Sequence, residues 1–479
     1  MKIALVMPPQ RTASNLFTVI HELSQMEPHL LPIFDFFRSK MIDFRNYPYA
    51  LLLLATIIDK KHEVKIFNFL DRETKIKDII KFQPDIIGFY TCASDILIWV
   101  HEVARSLKRK LGATIIFGGP FVSMTPEQTL LTTVCDYVVI GEAELVINDL
   151  INFIDGKSNK LPQSGVAYKR NGKIVIKKAI AVCPKKIPIV DHSFLDLDKY
   201  KSIHIEISRG CPWSCPFCFI NAFKNEWKDY NYRVRNEDDV IKELKQISNL
   251  TDIEKKKIYI VDSNFKAGEE KIKNILLKIK KLEIKTSFWA ATDSLISYEI
   301  LKLMKDVGFS YIHIGIETAS EGFLGELPKI PNLNHILNFY KKLKKLRIVG
   351  GAEFVLMYPQ QTKEDLKRLK CFAFQLQKEY GPIVFQPHLF RPYPKTLKTF
   401  ELIDKNWNSP QSFLEWGYLY RKISLGKFDD ETNFTKDITS NNLQSTLKDF
   451  LVINLMGMEK ESRLIRGFYS EKRWPSCNN

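Results

Sequence analysis

The sequence predicts an α/β protein with three parts. These are a parallel sheet covered by helices on both faces, a partial barrel of six parallel strands, and a small, mostly helical C-terminal part. Short apolar runs alternate with amphipathic stretches in two separate series, and this alternation is typical of parallel sheets. The chain has 479 residues, which is too long for one ordinary core, so we expect more than one domain.

The first series occupies residues 1–150. Its strand candidates are short apolar runs at 3–7, 63–69, 85–90, 114–119 and 136–141. Helical stretches between them are predicted at 49–61, 76–82, 96–111 and 126–132. In such a sheet ligands bind where the strands end, and the turns there carry small residues that allow close approach of the backbone. We therefore expect a ligand at that edge.

Residues 151–200 are predicted to be a linker with a small β element. The Asn-Gly-Lys turn at 171–173 lies between two β-rich runs and indicates a hairpin. Prolines at 184 and 188 then interrupt regular structure before the second series begins.

The second series occupies residues 201–396. Its strand candidates lie at 202–208, 257–262, 286–292, 311–317, 351–358 and 384–390. Amphipathic helical stretches separate them, so six strand–helix units predict a partial barrel with its chemistry at the carboxyl ends of the strands.

The remaining part, residues 397–479, is predicted to be mostly helical and rich in aromatic residues. We expect these aromatic side chains to pack in a core rather than to line a substrate pocket. They are Trp407, Trp416, Tyr418, Tyr420 and Trp474.

Composition restricts the classes of partner. Hydrophobic residues make up 45% and charged residues 26%, a balance typical of soluble globular proteins. The net charge of +16 would suit a nucleic-acid partner, but the lysines of 341–347 fall at helical spacing, as on a solvated helix face. No apolar run reaches the roughly 20 residues that span a bilayer, and the apolar run at the N-terminus is too short for a signal peptide. We expect a cytoplasmic monomer without membrane or nucleic-acid partners.

Three cysteines carry the strongest chemical signal. Cys211, Cys215 and Cys218 form a CxxxCxxC directly after a predicted strand. Thiolates suit zinc and iron–sulfur clusters, but a structural zinc site needs four closed ligands, and the other five cysteines are scattered singly. Three thiolates on a four-iron cluster leave one iron open to a chelating substrate. The motif therefore predicts a 4Fe-4S cluster rather than a disulfide framework, and we expect the cysteines outside the motif to stay reduced.

This segment resembles the cluster loop of the radical S-adenosylmethionine (SAM) superfamily, whose catalytic domain is a partial (β/α)6 TIM barrel. Stretches at 232–244, 258–265, 306–320 and 350–365 are also similar to that family's motifs in order and position. The resemblance implies that SAM binds the open iron and that its reductive cleavage releases a 5′-deoxyadenosyl radical. The implied SAM contacts are Phe217, Arg235, Asp262 and Glu317. An electron donor such as flavodoxin or ferredoxin is implied as a partner.

The N-terminal part is similar to the Rossmann-like cobalamin-binding domain of B12-binding radical SAM enzymes, on the basis of residues 117–130 and 135–145. From the residues alone, a nucleotide-binding sheet or a scaffold without ligand stays open as an alternative. The implied cobalamin contacts are Pro9, Thr91, Ser94, Gly118, Gly119, Pro120, Gly141 and Glu142. The DxHxxG motif of histidine-ligated cobalamin proteins is absent, so we expect base-off cobalamin with no histidine ligand.

Together the two resemblances imply a class B radical SAM methyltransferase-like enzyme. It would methylate an unactivated carbon, or phosphorus, of a small-molecule or peptide natural product, through methylcobalamin and a 5′-deoxyadenosyl radical. We assign no catalytic residue beyond the cofactors. Two alternatives stay open: a cyclase, ring-contraction or oxidation enzyme with the same domains, and an RNA-modifying methylthiotransferase, which would fit the basic charge.

Overall fold

The computed structural model describes residues 1–9, 47–396, 407–426 and 435–457, apart from positions 72, 267 and 436. It confirms the predicted fold class: a mostly parallel sheet, then a second sheet of six parallel strands, then helices. Within these ranges no helix combines the length and the apolar character that crossing a bilayer requires.

The N-terminal sheet has seven strands in the order β2-β1-β3-β4-β5-β6-β7. They are β1 (Lys2–Met7), β2 (Glu63–Asn68), β3 (Ile86–Tyr90), β4 (Thr114–Gly118), β5 (Tyr137–Val139), β6 (Val166–Arg170) and β7 (Lys173–Lys177). The helices of this half are α1 (Tyr49–Ile57), α2 (Ile76–Phe82), α3 (Ile96–Leu111), α4 (Pro120–Met124), α5 (Pro126–Thr132) and α6 (Ile147–Ile154). Strands β1 to β5 pair in parallel, whereas β6 and β7 form an antiparallel hairpin. The hairpin predicted for the linker thus extends this sheet.

Burial on both faces explains why the strands of this sheet read as continuous apolar runs. In β1, Ala4 and Val6 join one buried cluster, while Ile3 and Leu5 join a second cluster on the opposite face. A parallel sheet with helices on both sides requires apolar side chains at successive positions for this reason.

The second sheet has the order β15-β14-β13-β12-β11-β8, and all its pairs are parallel. Its strands are β8 (Ser202–Ile205), β11 (Lys257–Ile260), β12 (Ser287–Thr292), β13 (Phe309–Glu317), β14 (Val349–Leu356) and β15 (Ile383–Leu389). A short antiparallel pair, β9 (Ser208–Arg209) with β10 (Arg233–Val234), lies beyond the end of β8. The helices are α7 (Phe219–Glu226), α8 (Glu237–Leu250), α9 (Glu269–Lys280), α10 (Tyr298–Val307), α11 (Glu321–Leu324), α12 (Leu333–Leu346) and α13 (Lys363–Tyr380). All six predicted strands of the barrel are present.

Two helices follow in the C-terminal part, α14 (Phe413–Ser424) and α15 (Ser440–Gly457). Helix α14 packs against α3 and α5 of the N-terminal half, and α15 packs against α13 and β15. Trp416 and Tyr420 are fully buried beside Phe121, which confirms core packing for these two, whereas Tyr418 is 48% exposed. Trp407 contacts Trp416, and Trp474 lies outside the described residues. Helix α14 therefore attaches the C-terminal part to the N-terminal half.

Candidate active site

The cysteine loop lies between β9 and α7, beyond the carboxyl end of β8. It begins at Gly210, whose φ is +80°. A side chain there would place its Cβ 2.4 Å from the carbonyl oxygen of Asn231, so only glycine fits the turn that follows the β9–β10 pair. This local geometry directs Cys211, Cys215 and Cys218 into one loop.

The three thiols lie close enough together for the charge of one to act on another. Burial raises the pKa of Cys215 to about 12, and the charges of Cys218 and Cys211 also raise it. The charge of Lys329 lowers this pKa and only partly offsets the rise. Burial likewise raises the pKa of Cys218. Cluster iron would supply the positive charge that keeps such thiols ionised, so the donor set fits an iron–sulfur cluster.

The three cysteines of the motif do not form a site for a single metal ion. No three His, Cys, Asp or Glu side chains in the described ranges converge on a site for a single metal ion. The cysteines of a four-iron cluster each bind a different iron, so they need not converge on one point. Cys371 is disulfide-bonded, contrary to the expectation that the cysteines outside the motif stay reduced.

A tryptophan inside the motif anchors the loop to the barrel. The indole N–H of Trp213 donates to Oδ2 of Asp293 over 2.7 Å, just beyond the end of β12. Nδ2 of Asn264 donates to the same oxygen over 2.9 Å, and Lys266 pairs with Oδ1 over 3.2 Å. Asp293 is almost completely buried, so this network holds the cluster loop against the strand ends.

Carboxylates stand at the carboxyl ends of four neighbouring strands, β8, β11, β12 and β13. They are Glu206, Asp262, Asp293 and Glu317. Such groups accept hydrogen bonds from hydroxyl and ammonium groups and counter a positive charge, and SAM carries all three features. The arrangement therefore fits SAM beside the cluster loop.

Asp262 supports the backbone that leads into the cysteine loop. Its carboxylate accepts from the backbone N–H of Ile207 over 2.8 Å and from Oγ of Ser208 over 2.5 Å. Burial raises the pKa of Asp262 to about 7, although these hydrogen bonds act in the opposite direction. A contact between Asp262 and SAM stays a prediction.

Glu317 forms a buried ion pair with Lys329, a residue that sequence reasoning missed. Glu317 ends β13 at a register shift and has a φ of +66°, and burial raises its pKa despite the charge of Lys329. The charges of Cys215 and Cys218 also act on Lys329. No motif or periodic pattern singles out this lysine, because the fold alone brings its loop beside the cysteines.

Phe217, between the last two cysteines, lies in an aromatic group with Phe323 and Tyr358. Its ring centroid is 6.2 Å from that of Phe323 and 6.1 Å from that of Tyr358, and the latter two rings stack at 3.8 Å. The buried hydroxyl of Tyr358 makes no hydrogen bond to the described residues. An apolar aromatic surface of this kind suits a flat purine, and a contact between Phe217 and SAM stays a prediction.

Arg235 is held by neighbouring groups of the barrel half. Its guanidinium donates to Oε2 of Glu243 and to the backbone oxygen of Glu206, both over 2.7 Å. Oε1 of Glu243 lies 3.1 Å from Nε2 of His192, whose Nδ1 lies 2.5 Å from the hydroxyl of Tyr47. Glu243 and His192 thus connect Arg235 on the barrel half to Tyr47, just before α1. A contact between Arg235 and SAM stays a prediction.

A cavity of about 360 Å³ opens between the N-terminal sheet and the barrel. Apolar side chains from the strands, among them Leu5, Ile86 and Ile116, form its inner part. Five of the eight expected cobalamin contacts line it, namely Gly118, Gly119, Pro120, Gly141 and Glu142. Pro9, Thr91 and Ser94 are not among its lining residues.

The glycines at this edge have two different physical roles. A Cβ on Gly119, where φ is +111°, would lie 2.3 Å from the backbone oxygen of Thr91, and one on Gly141 would lie 2.8 Å from Cβ of Ala179. A Cβ on Gly118 would meet nothing closer than Cβ of Val139 at 4.0 Å. Gly119 and Gly141 are therefore needed for contacts within the chain, while Gly118 leaves space beside the cavity.

The cavity also reaches the cysteine loop, because Ser208, Arg209 and Gly210 line it. Gly210 immediately precedes Cys211. An open, largely apolar space of this kind at the ends of parallel strands fits part of a large planar cofactor beside the cluster.

Comparisons with known proteins agree with this geometry. Residues 205–372 match the family model for the Radical SAM superfamily, and residues 42–151 match the model for the B12 binding domain. An uncharacterized methyltransferase of Pyrococcus horikoshii is 27% identical over 412 residues, which are 83% of this chain and 82% of that relative. Bacteriochlorophyllide d C-8(2)-methyltransferase of Chlorobaculum tepidum is 23% identical, over 88% of this chain and 91% of that relative.

Among solved structures, the fold is similar to that of the radical SAM methyltransferase TsrM from Kitasatospora setae, solved with cobalamin and a 4Fe-4S cluster bound. The TM-score is 0.70 with 14% identity, over 94% of this chain and 88% of that one. The cofactors that follow from the two family matches are a 4Fe-4S cluster, SAM and cobalamin. With its cysteine loop on a barrel of parallel strands and a B12 binding domain before it, the chain belongs to the cobalamin-binding radical SAM enzymes.

Proposed function

We propose that this protein is a methyltransferase that methylates an unactivated carbon, or phosphorus, of a small-molecule or peptide substrate. One observation carries the proposal: Gly210, next to the first cluster cysteine, lines the same cavity as Gly118 and Gly119 of the B12 binding domain. Both cofactors would therefore reach one shared space. The methyltransferase names of the two relatives support the same reaction type.

When bound, the cluster supplies the electron that cleaves SAM, and cobalamin carries the methyl group. The chain itself supplies position and charge. Cys211, Cys215 and Cys218 would hold the cluster, and Glu317, paired with Lys329, would face the ammonium or ribose of SAM. An apolar wall that keeps water from the reacting atoms would protect a reactive radical from side reactions.

We further propose that cobalamin binds base-off, with its nucleotide tail in the inner part of the cavity. That part runs between the face of the N-terminal sheet and helices α1 and α6, where Leu54 and Ile147 line it. A flat, apolar benzimidazole suits such a wall.

The test of the reaction uses the full chain, reconstituted anaerobically with iron and sulfide and supplied with SAM, a reductant and hydroxocobalamin. We expect 5′-deoxyadenosine from the unaltered chain and from Cys183→Ala, a matched control at an exposed cysteine, but none from Cys218→Ala. We expect S-adenosylhomocysteine, which remains when SAM loses its methyl group, only when hydroxocobalamin is present.

Other outcomes would support the alternatives. Formation of 5′-deoxyadenosine without S-adenosylhomocysteine in the presence of cobalamin would contradict methyl transfer and favour a cyclase or another radical rearrangement. An iron content of two clusters per chain would favour a methylthiotransferase. A spectrum of bound cobalamin in the base-on form, or equal affinity for cobinamide, which lacks the nucleotide tail, would contradict the base-off proposal.

A further inference from the structure

Three neighbouring strands of the N-terminal sheet form a trough in the wall of the cavity. Leu5 on β1 pairs in register with Gly88 on β3, and Gly88 pairs with Ile116 on β4. All three residues line the cavity. Because Gly88 lacks a side chain, the wall is lower between its two neighbours. Gly118, two residues beyond Ile116 on the same face of the sheet, continues this trough toward the strand ends.

Aliphatic side chains of two helices cover the trough. Leu54 on α1 and Ile151 on α6 line the same cavity, and both pack in one apolar cluster with Leu5 and Ile116. The floor is thus the flat backbone of a glycine, and the opposite wall is aliphatic. A slot of this shape fits a flat aromatic ring system, and we call it the base slot.

The base slot offers no hydrogen-bond partner among the described residues. The polar side chains that line the cavity come from the strand-end edge of the sheet or from the barrel half, for example Tyr90, Ser123 and Arg209. The backbone is also occupied, because β3 pairs with β1 on one side and with β4 on the other. The N–H and C=O groups of Gly88 therefore bond within the sheet. A polar group placed in the slot would lose its hydrogen bonds to water without replacement.

Corrinoids differ in the base of their nucleotide tail, and these bases differ in polarity. The dimethylbenzimidazole of cobalamin has one ring nitrogen that is left without a partner when the base leaves the cobalt. Adenine, the base of pseudocobalamin, has an amino group and two further ring nitrogens in addition. Each buried polar group without a partner should weaken binding by about tenfold. The base slot should therefore disfavour adenine.

We propose that the base slot selects the corrinoid that this protein uses: it accepts a nucleotide tail with an apolar base, such as a benzimidazole or a phenol, and excludes a tail with a purine base. Gly88 leaves room for the ring, and Leu54 faces it with an aliphatic wall. The inference rests on the proposed function for the location of the tail. It adds a specificity that methyl transfer by itself does not require, because the corrin ring and its cobalt are the same in all these corrinoids.

The experiment measures binding of four corrinoids to the full chain, with its cluster reconstituted, by equilibrium dialysis. They are hydroxocobalamin, pseudocobalamin, the analogue with a p-cresol base, and cobinamide. Adenine binds cobalt more weakly than dimethylbenzimidazole does, and p-cresol does not bind it, so a slot indifferent to the base would bind both analogues at least as tightly as hydroxocobalamin. We expect this of the p-cresol analogue, whereas pseudocobalamin should bind at least about tenfold more weakly than hydroxocobalamin.

Two variants test the residues of the base slot. Leu54→Gln brings an amide into the slot and should narrow the difference between pseudocobalamin and hydroxocobalamin by at least about threefold. Leu277→Gln, at a leucine that is 40% exposed and outside the cavity, is the matched control and should leave that difference unchanged.

Gly88→Ala adds a methyl group whose carbon would lie 3.4 Å from Cδ2 of Leu5, inside the trough. It should weaken binding of the three corrinoids with a tail by at least about fivefold and leave cobinamide binding unchanged. Far-ultraviolet circular dichroism reports whether each variant is folded.

The outcomes separate this selectivity from the location of the tail and from the assignment of the cofactor. If pseudocobalamin binds as tightly as hydroxocobalamin and both bind more tightly than cobinamide, the selectivity is refuted while the tail stays in the cavity. Equal binding of cobinamide and hydroxocobalamin would overturn the base slot and the base-off proposal together. Failure of the unaltered chain to bind hydroxocobalamin would overturn both this proposal and the proposed function.

Discussion

Gly118 and Gly119 are neighbours in sequence, yet the structure predicts opposite consequences for their replacement by alanine. In Gly119→Ala the new Cβ would lie 2.3 Å from the backbone oxygen of Thr91, at a φ of +111° that L residues rarely adopt. Strained backbone costs about 1–3 kcal/mol and overpacking about 1–3 kcal/mol, so we expect the variant to lose about 2–6 kcal/mol of folding free energy. In Gly118→Ala the nearest atom is 4.0 Å away, and the change should stay within about 1 kcal/mol.

The assay compares the two variants with the unaltered chain by urea unfolding, followed by far-ultraviolet circular dichroism, and by binding of hydroxocobalamin. Gly118 lines the cavity, so its new methyl group should weaken cobalamin binding while the unfolding midpoint barely moves. Gly119→Ala should shift the midpoint to much lower urea. Equal destabilisation by both variants would refute the assignment of Gly119 to a contact within the chain.

Three further changes test the supporting network. Lys329→Met leaves the buried carboxylate of Glu317 unpaired and should cost about 3–5 kcal/mol in urea unfolding, whereas Lys302→Met, at an exposed lysine, should cost almost nothing. The pKa of Asp262 is about 7 in the folded chain and about 3.9 in the unfolded chain. The unfolded chain therefore loses this proton at lower pH, so the free energy of unfolding should fall as the pH rises from about 4 to about 7. Asp262→Asn should flatten this slope, and an unchanged slope would contradict the raised pKa. Trp213→Phe removes a 2.7 Å hydrogen bond to a carboxylate and should release cluster iron to a chelator faster than the unaltered chain, which a ferrous-iron assay measures.

Local sequence determined the elements of this fold and the identity of the cluster ligands. Apolar runs such as Ile3–Val6 must be buried on both faces, so they predict a parallel sheet without any knowledge of the partners. The spacing of Cys211, Cys215 and Cys218 likewise specifies a metal loop, because the three ligands come from one short segment. Such signals are readable because cause and effect lie within a few residues.

Only the tertiary structure decided which distant groups meet. Arg235 sits in a segment that resembles a SAM-binding stretch, yet its guanidinium is held by Glu243 and the backbone of Glu206. Lys329 comes beside the cysteines because β13 and its following loop end there, and no local pattern records this. Burial and charge then set the chemistry of these groups, and both depend on every element packed around them.

The glycine-rich turns show the same division. The sequence determined where glycines stand, and general rules suggested that they admit a ligand. The structure shows that both Gly118 and Gly119 line the cavity, but the missing side chain of Gly119 is required by the backbone of Thr91. A positive φ or a missing side chain is a local property, but the group that occupies the vacated space is chosen by the packing of strands far apart in sequence.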